Sequence, residues 1–157
     1  MDMMQSPLPR PLFKTIVEHT PLVSIDLIVR DAQGHMLLGL RRNRPARDWW
    51  FVPGGRILKG ETLDHAFLRV TRSELGLPRD RSNARFLGAF EHFYDDNFSG
   101  EVGFGTHYVV LGFELAIEPA QLALPGDQHD GYRWLSDAEV VSALDVHENT
   151  KAYARPG

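Results

Sequence analysis

A glycine-rich turn followed by a helix with spaced charged residues is the part of the sequence best suited to chemistry. Gly54 and Gly55 follow a short aromatic segment, and Glu61, Arg69 and Glu74 come after them. Glycines let the backbone approach a ligand closely, and the amino end of a helix favours anions. The turn therefore supplies half of a site for a diphosphate group.

Glu74 is expected in the last turn of that helix, where the helix dipole disfavours a carboxylate by about 0.3–1 kcal/mol. It follows Val70 by four positions, at the rim of the apolar stripe, so it needs a cationic partner. Mg²⁺ fits, because it prefers oxygen ligands and is commonly shared between carboxylates and substrate phosphates. The alternative is a solvated glutamate paired with Arg69 or Arg72.

Hydrophobic periodicity predicts the elements that position these groups, and their order indicates an α+β fold, a mixed sheet with helices on its faces. The long central helix covers 62–75 and ends at Gly76. The first strand pairs with the second as a hairpin. The other predicted elements are a short helix around 13–17, strands at 22–29, 35–41, 49–52, 85–94, 106–115 and 132–135, and a last helix begun by a capping box at 136–139.

Asp26 interrupts an apolar strand. Alternation places Ile25 and Leu27 on one strand face and Ser24 and Asp26 on the other. A buried carboxylate without a partner is costly, so we expect a hydrogen bond to a ligand or an arginine. A purely structural salt bridge is the competing interpretation.

Composition limits the classes of function. The chain has 157 residues, 43% of them apolar, a net charge of −4 and no cysteine. Thiol nucleophiles and cysteine-ligated metals are excluded, the acidic balance argues against nucleic acid, and no apolar run suits a membrane span. We expect a cytoplasmic protein with a flexible arm at 1–12, one domain at 13–149 and a tail at 150–157.

The turn and helix resemble the Nudix box, the signature of hydrolases that act on nucleoside diphosphates linked to another group. The matching residues are Gly55, Glu61, Arg69, Glu74 and Gly76. Val70 and Ser73 stand where the usual box has acidic residues, so a site for two or three metal ions is not expected. The resemblance implies an α/β/α sandwich around a central mixed β-sheet.

From about Phe13 to Asn149 the sequence is similar to the GDP-mannose mannosyl hydrolase branch of that superfamily, most specifically in HFYDDNFSG and THYVVLGF. The resemblance implies hydrolysis of GDP-mannose, or of GDP-glucose, to GDP and the free sugar. Water attacks the anomeric carbon with inversion. One Mg²⁺ per subunit, with Mn²⁺ as a substitute, and a homodimer are also implied.

The same resemblance implies a base and a metal site. His129 takes the proton from water, and Gln128 and the carbonyl of Gly54 join Glu74 as ligands of Mg²⁺. The alternatives are a surface histidine and an exposed loop amide. Arg69 orients Glu61 or Glu74 by a bidentate pair.

Substrate contacts are assigned likewise. Arg41, Arg56 and Tyr108 bind the diphosphate, Asp26 contacts the sugar, and His92 supports either part. Tyr94 and the loop Asp95-Asp96-Asn97 frame the guanine. For the arginines the alternative is a surface charge, and for Tyr108 and His92 it is core packing.

Two other functions stay open. A conventional Nudix pyrophosphatase would yield GMP and a sugar phosphate, whereas a non-catalytic protein would bind the nucleotide sugar unchanged.

Overall fold

The computed structural model describes residues 8–126 and 131–155, which form a seven-stranded mixed sheet with helices on its faces. This arrangement is the α/β/α sandwich that the sequence predicts. The helices are α1 (Arg10–His19), α2 (Leu63–Leu75), α3 (Asp137–Ser142) and α4 (Glu148–Lys151). The strands are β1 (Leu22–Arg30), β2 (Met36–Leu40), β3 (Trp50–Phe51), β4 (Gly54–Arg56), β5 (Arg85–Tyr94), β6 (Thr106–Ala116) and β7 (Tyr132–Leu135).

The sheet is centred on β1. Its main path runs β3-β2-β1-β6-β5, with β4 paired to β1 and β7 paired to β2. β1 runs parallel to β6, from Leu22 beside Tyr108 to Arg30 beside Ala116, whereas β5 is antiparallel to β6. The predicted hairpin between β1 and β2 is confirmed at one pair, Arg30 with Met36. β2 also pairs with β3 at Gly39 and Leu40 and with β7 along Met36–Gly39.

Side chains of β1 and β2 alternate between two core clusters, one on each face of the sheet. The first cluster packs the sheet against α2 and includes Ile25, Leu27, Val29, Leu37, Phe67, Val70 and Leu75. The second packs it against α3 and the residues around α4 and includes Ile28, Met36, Leu38, Trp50, Val140, Val146 and Tyr153. β1 is therefore held from both sides, and it provides a rigid base for polar residues in its first half.

The central helix forms as predicted. Thr62 caps its amino end by accepting a hydrogen bond from the amide of His65 at 3.1 Å, and Gly76 ends it in the left-handed conformation at φ 63°. Ser136 and Glu139 form the predicted capping box at the start of α3.

The chain differs from prediction at both ends. α1 begins at Arg10, inside the predicted arm 1–12, because proline suits the first turn of a helix. In the predicted tail 150–157, Tyr153 belongs to the second core cluster and is 5% exposed. The buried guanidinium of Arg30 needs acceptors, and it donates to the backbone oxygen of Tyr153 at 3.3 Å.

No helix in the described part of the chain is both long enough and apolar enough to cross a membrane.

Candidate active site

A cavity of about 120 Å³ lies where β1, β4, β5 and β6 meet the carboxyl end of α2. It brings together nine of the residues that the sequence singled out. They are Asp26, Arg41, Gly54, Gly55, Arg56, Glu74, His92, Tyr94 and Tyr108. Glu61 and Arg69 lie outside this lining, and His129 and Gln128 lie outside the described residues.

Gly54 brings the glycine turn against β1. β4 pairs antiparallel with β1 so that Gly54 lies beside Asp26 and Gly55 beside Ile25. A Cβ on Gly54 would lie 2.5 Å from the backbone oxygen of Ile25 and 2.6 Å from Oδ1 of Asp26. Only glycine permits this approach, which joins the turn to the polar half of β1.

Glu74 faces the same turn from the last part of α2. Its Oε1 accepts a hydrogen bond from the amide of Gly54 at 3.3 Å. The charge of Glu74 is also close enough to raise the pKa of Asp26. The carboxylate is therefore held at the cavity by the backbone of the glycine turn.

The oxygen donors at Glu74 suit one hard divalent cation. In residues 8–126 and 131–155 there is no group of three or more His, Cys, Asp or Glu side chains that can hold a metal ion. Val70 and Ser73 occupy the two positions on α2 where the usual box has acidic residues, so Glu74 is the carboxylate that α2 places at the cavity.

Arg69 pairs with Glu61, one of the two partners expected for it. Its Nε donates to Oε2 at 2.7 Å, and its Nη2 donates to Oε1 at 2.9 Å and to the backbone oxygen of Arg56 at 2.8 Å. Glu61 also accepts from the amide of Leu58 at 2.8 Å. The Arg69 hydrogen bond lowers the pKa of Glu61. The pair fixes the loop between β4 and α2, and it acts on the cavity through the backbone of Arg56.

Arg41 and Arg56 bring positive charge to the cavity. The guanidinium of Arg56 lies over the ring of Phe13, 5.1 Å from its centroid, and that of Arg41 lies 5.8 Å from the centroid of Phe51. Nε of Arg41 also donates to the backbone oxygen of Pro45 at 2.9 Å. Aromatic contacts thus orient both guanidiniums, as cation–π attraction favours.

Asp26 has a partner that sequence reasoning missed. The hydroxyl of Tyr153 donates to Oδ2 of Asp26 at 2.7 Å. Within residues 8–126 and 131–155, no arginine forms the expected hydrogen bond or salt bridge with Asp26. Asp26 is partly exposed and lines the cavity. Desolvation raises the pKa of Asp26 to about 7, against the opposing effects of the Tyr153 hydrogen bond and the charge of Arg41.

His92 is a neutral imidazole in the cavity lining. It is 5% exposed, and burial lowers its pKa to about 4. Its ring meets that of Tyr153 edge-on at 6.1 Å. Its Nε2 is buried and has no hydrogen-bond partner among the described residues. A polar atom in this state needs a partner, and a bound ligand can supply one.

Aromatic rings form the rest of the lining. Tyr94 and Tyr108 meet edge-on at 6.2 Å, and burial raises the pKa of both hydroxyls. The ring centroids of Tyr94 and His147 are 5.2 Å apart, and the ring of His147 stacks on that of Phe51 with a centroid distance of 5.0 Å. His147 escaped the sequence analysis because it lies far along the chain, beside α4.

Asn97 does not frame a ligand as expected. It is fully buried, and its side chain donates to the backbone oxygens of Glu101 at 2.8 Å and Phe104 at 2.9 Å. The neighbouring Asp96 accepts from the amide of Ala46 at 3.3 Å. Both side chains therefore hold loops together, which leaves Tyr94 as the residue of that group in the cavity lining.

The residues that flank 127–130 are anchored near the site. The hydroxyl of Tyr132 donates to the backbone oxygen of Pro125 at 2.5 Å, and the amide of Leu40 donates to the oxygen of Gly131 at 3.3 Å. Arg41, which follows Leu40, lines the cavity. The chain thus enters and leaves the predicted His129 segment beside the end of β2.

Comparison with known families identifies the domain. The model of the NUDIX domain family matches residues 20–155. The chain belongs to the Nudix family. Its mixed sheet, glycine turn and α2 are those of a Nudix hydrolase, and the matched range includes Tyr153.

The chain is similar in sequence to a glycan biosynthesis protein and similar in structure to solved Nudix proteins. It is 43% identical over 112 residues to the low-salt glycan biosynthesis protein Agl8 of Haloferax volcanii, covering 71% of this chain and 69% of that protein. The MutT protein of Methanosarcina mazei Go1 superposes with a TM-score of 0.67 at 19% identity, over 85% of this chain and 91% of that one.

The NUDIX domain of Shewanella oneidensis NrtR, solved in complex with ADP ribose, superposes with a TM-score of 0.63 at 14% identity, over 92% of this chain and 94% of that one. At these low identities the two solved structures show the shared fold.

Proposed function

We propose that this Nudix hydrolase cleaves GDP-mannose, or the epimeric GDP-glucose, into GDP and the free sugar by attack of water on the anomeric carbon. The observation that carries the proposal is the composition of the cavity. Arg41 and Arg56 lie with a single helix carboxylate, Glu74, and with the polar side chains of the partly exposed Asp26 and the buried His92. Positive charge that can bind a diphosphate therefore lies beside polar groups that can bind a neutral sugar.

The diphosphate binds to Arg41, Arg56 and Tyr108. The guanidiniums offer fork-shaped donors that match phosphate oxygens, and the Tyr108 hydroxyl stays protonated because burial raises its pKa. These donors stabilise the negative charge that grows on GDP as it leaves. Glu74, the Gly54 carbonyl and Gln128 would hold one Mg²⁺ or Mn²⁺, which would supply further charge neutralisation to the diphosphate.

Asp26 and His92 receive the sugar. The imidazole of His92, whose pKa is lowered by burial, has no hydrogen-bond partner for Nε2 in the described part of the chain, and this atom can exchange a hydrogen bond with a sugar hydroxyl. The carboxyl of Asp26 opens to the same cavity. In its ionised form it can stabilise the positive charge of an oxocarbenium-like transition state.

His129 acts as general base in the proposal, since an imidazole suits proton abstraction near neutral pH. It removes a proton from water on the face opposite the leaving GDP, so the anomeric configuration inverts. The identity to the glycan biosynthesis protein Agl8 supports a nucleotide-sugar substrate.

Hydrolysis in ¹⁸O-labelled water tests the bond that breaks. We expect the label in the sugar and none in GDP, with the inverted anomer appearing first by NMR. Label in a phosphate group, together with GMP and sugar phosphate as products, would assign the chain to the pyrophosphatases. Unchanged substrate after long incubation with Mg²⁺ would make it a binding protein.

Two variants test the residue roles. His129→Gln should lower kcat about 100-fold while the Mg²⁺ concentration for half-maximal activity stays the same, because loss of a general base costs about that factor. Glu74→Gln should raise that Mg²⁺ concentration. Similar slight effects of both substitutions would place the site elsewhere.

A further inference from the structure

Tyr153 contacts the cavity residues Asp26 and His92 although it follows the last helix of the described chain. It is 5% exposed, and its hydroxyl donates to Oδ2 of Asp26 at 2.7 Å. The two residues are 127 positions apart in sequence. This hydrogen bond links the residues after α4 to the polar half of β1.

The ring and backbone of Tyr153 are fixed independently of its hydroxyl. The ring packs edge-on against Phe90 at 4.8 Å, and a Cβ on Gly112 would lie 3.2 Å from its Cε1. The backbone oxygen accepts from Arg30 at 3.3 Å. A hydroxyl held in this way has little freedom, so it can determine where its acceptor points.

The acceptor is one oxygen of a carboxyl whose other oxygen lies at the glycine turn. Oδ1 of Asp26 would be 2.6 Å from a Cβ on Gly54, which places Oδ1 at the junction of β1 and β4. Binding of Oδ2 by Tyr153 fixes the rotation of the carboxyl group. Without that bond the carboxyl can turn about its Cβ–Cγ bond.

We propose that Tyr153 is a positioning residue, whose hydroxyl fixes the Asp26 carboxyl in the rotation that meets the sugar. The inference rests on the proposed function, in which Asp26 contacts the sugar, and it adds a residue that does not itself touch substrate. Burial raises the pKa of Tyr153, so its hydroxyl stays a donor over the working pH range.

Tyr153→Phe removes the hydroxyl and keeps the ring packing. We expect kcat for release of sugar from GDP-mannose to fall about tenfold, because small losses of alignment have large kinetic effects. KM and the Kd for GDP should change less than about twofold, since the diphosphate contacts are separate.

A double-mutant cycle with Asp26→Ala shows whether the hydroxyl acts through Asp26. Once the carboxyl is gone there is nothing to position, so Tyr153→Phe should lower kcat less than about twofold in that background. Thermal unfolding of each variant checks that it is folded. If Asp26→Ala does not fold, the contrast between Tyr153→Phe and the control variant decides.

Arg155→Ala is the matched control, because Arg155 lies in the same segment and pairs with Glu114 at an exposed position. It loosens the segment without touching the hydroxyl, so kcat should stay unchanged. Three results would overturn the positioning role: a normal kcat for Tyr153→Phe, an equal loss of kcat for Arg155→Ala, or additive losses of kcat in the double-mutant cycle. In each case, release of sugar by the wild type would still uphold the proposed function. A wild type that releases no sugar overturns both.

Discussion

Two regions meet at the cavity. The first is the glycine turn with α2, and the second comprises the polar residues of β1 and β5. Their charged groups are stabilised in different ways. In the first region charges are paired, as in the bidentate contact of Arg69 with Glu61. In the second, burial moves the pKa of Asp26 to about 7 and that of His92 to about 4, towards the uncharged forms. One region therefore suits a ligand that is already charged, and the other suits a neutral one.

The largest expected effect concerns Asp26 and sharpens that contrast. In the unfolded chain its carboxyl ionises near 3.8, whereas in the folded protein it ionises near 7. The folded state binds more protons in this interval, so raising the pH from about 4 to 8 lowers the free energy of unfolding by about 4 kcal/mol through this group.

Asp26→Asn abolishes this dependence, so the variant should gain stability relative to the wild type as pH rises. Urea unfolding at several pH values, without divalent ions, measures the difference. A difference that does not vary with pH would mean that Asp26 is not buried as a neutral acid.

Gly54→Ala breaks the junction between the two regions. Its Cβ would overlap the backbone oxygen of Ile25, which cannot move without displacing β1. We expect the free energy of unfolding to fall by about 2 kcal/mol, as overpacking typically costs, with loss of activity.

The control for this variant is Gly126→Ala, where a Cβ meets nothing within 4 Å. Its unfolding midpoint should stay close to that of the wild type. Equal stability of the two variants would show that β4 can shift freely against β1.

Glu61→Gln tests the paired charges of the first region. The side chains of Glu61 and Arg69 are 9% and 17% exposed, so loss of one charge leaves the other poorly compensated. We expect a loss of about 1.5 kcal/mol in the free energy of unfolding, which is typical for a hydrogen bond to a charged group.

Asp64→Asn is the matched control, since the pair of Asp64 with Arg81 is exposed and should contribute less than about 0.5 kcal/mol. Chemical denaturation of both variants compares the two pairs. The contrast between the regions fails if they lose the same amount.

The smallest expected effect concerns the cap of α2. Thr62→Ala removes the acceptor for the amide of His65 and should cost about 1 kcal/mol. Thr62→Ser keeps the hydroxyl and should restore most of the loss. Urea denaturation measures both variants, and an unchanged midpoint in Thr62→Ala would show that helix packing alone holds the Glu74 end.

Local signals predict the first region well. One continuous stretch of sequence contains the glycine pair, the apolar residues at helical spacing and the caps Thr62 and Gly76. The sequence therefore indicates both α2 and the charged residues that α2 carries. The strands at 85–94 and 106–115 are likewise found almost to the residue, because alternation and turn residues define them.

The second region depends on contacts between distant parts of the chain, which periodicity does not contain. The partner of Asp26 is Tyr153, and nothing within the neighbouring residues of either one indicates the other. The hairpin prediction is confirmed only at Arg30 and Met36. The opposite edge of β2 pairs with β7, which lies almost a hundred residues later, and periodicity does not indicate that pairing either.

The loop 95–105 carries its own internal framework, built on the fully buried Asn97. The Asn97 side chain spans the loop to Glu101 and Phe104 and also accepts from the amide of Ser99 at 3.0 Å. The backbone conformation of the loop therefore depends more on the buried Asn97 side chain than on the side chains at its surface. The outward residues that follow Tyr94 can therefore be changed while the loop keeps its backbone conformation.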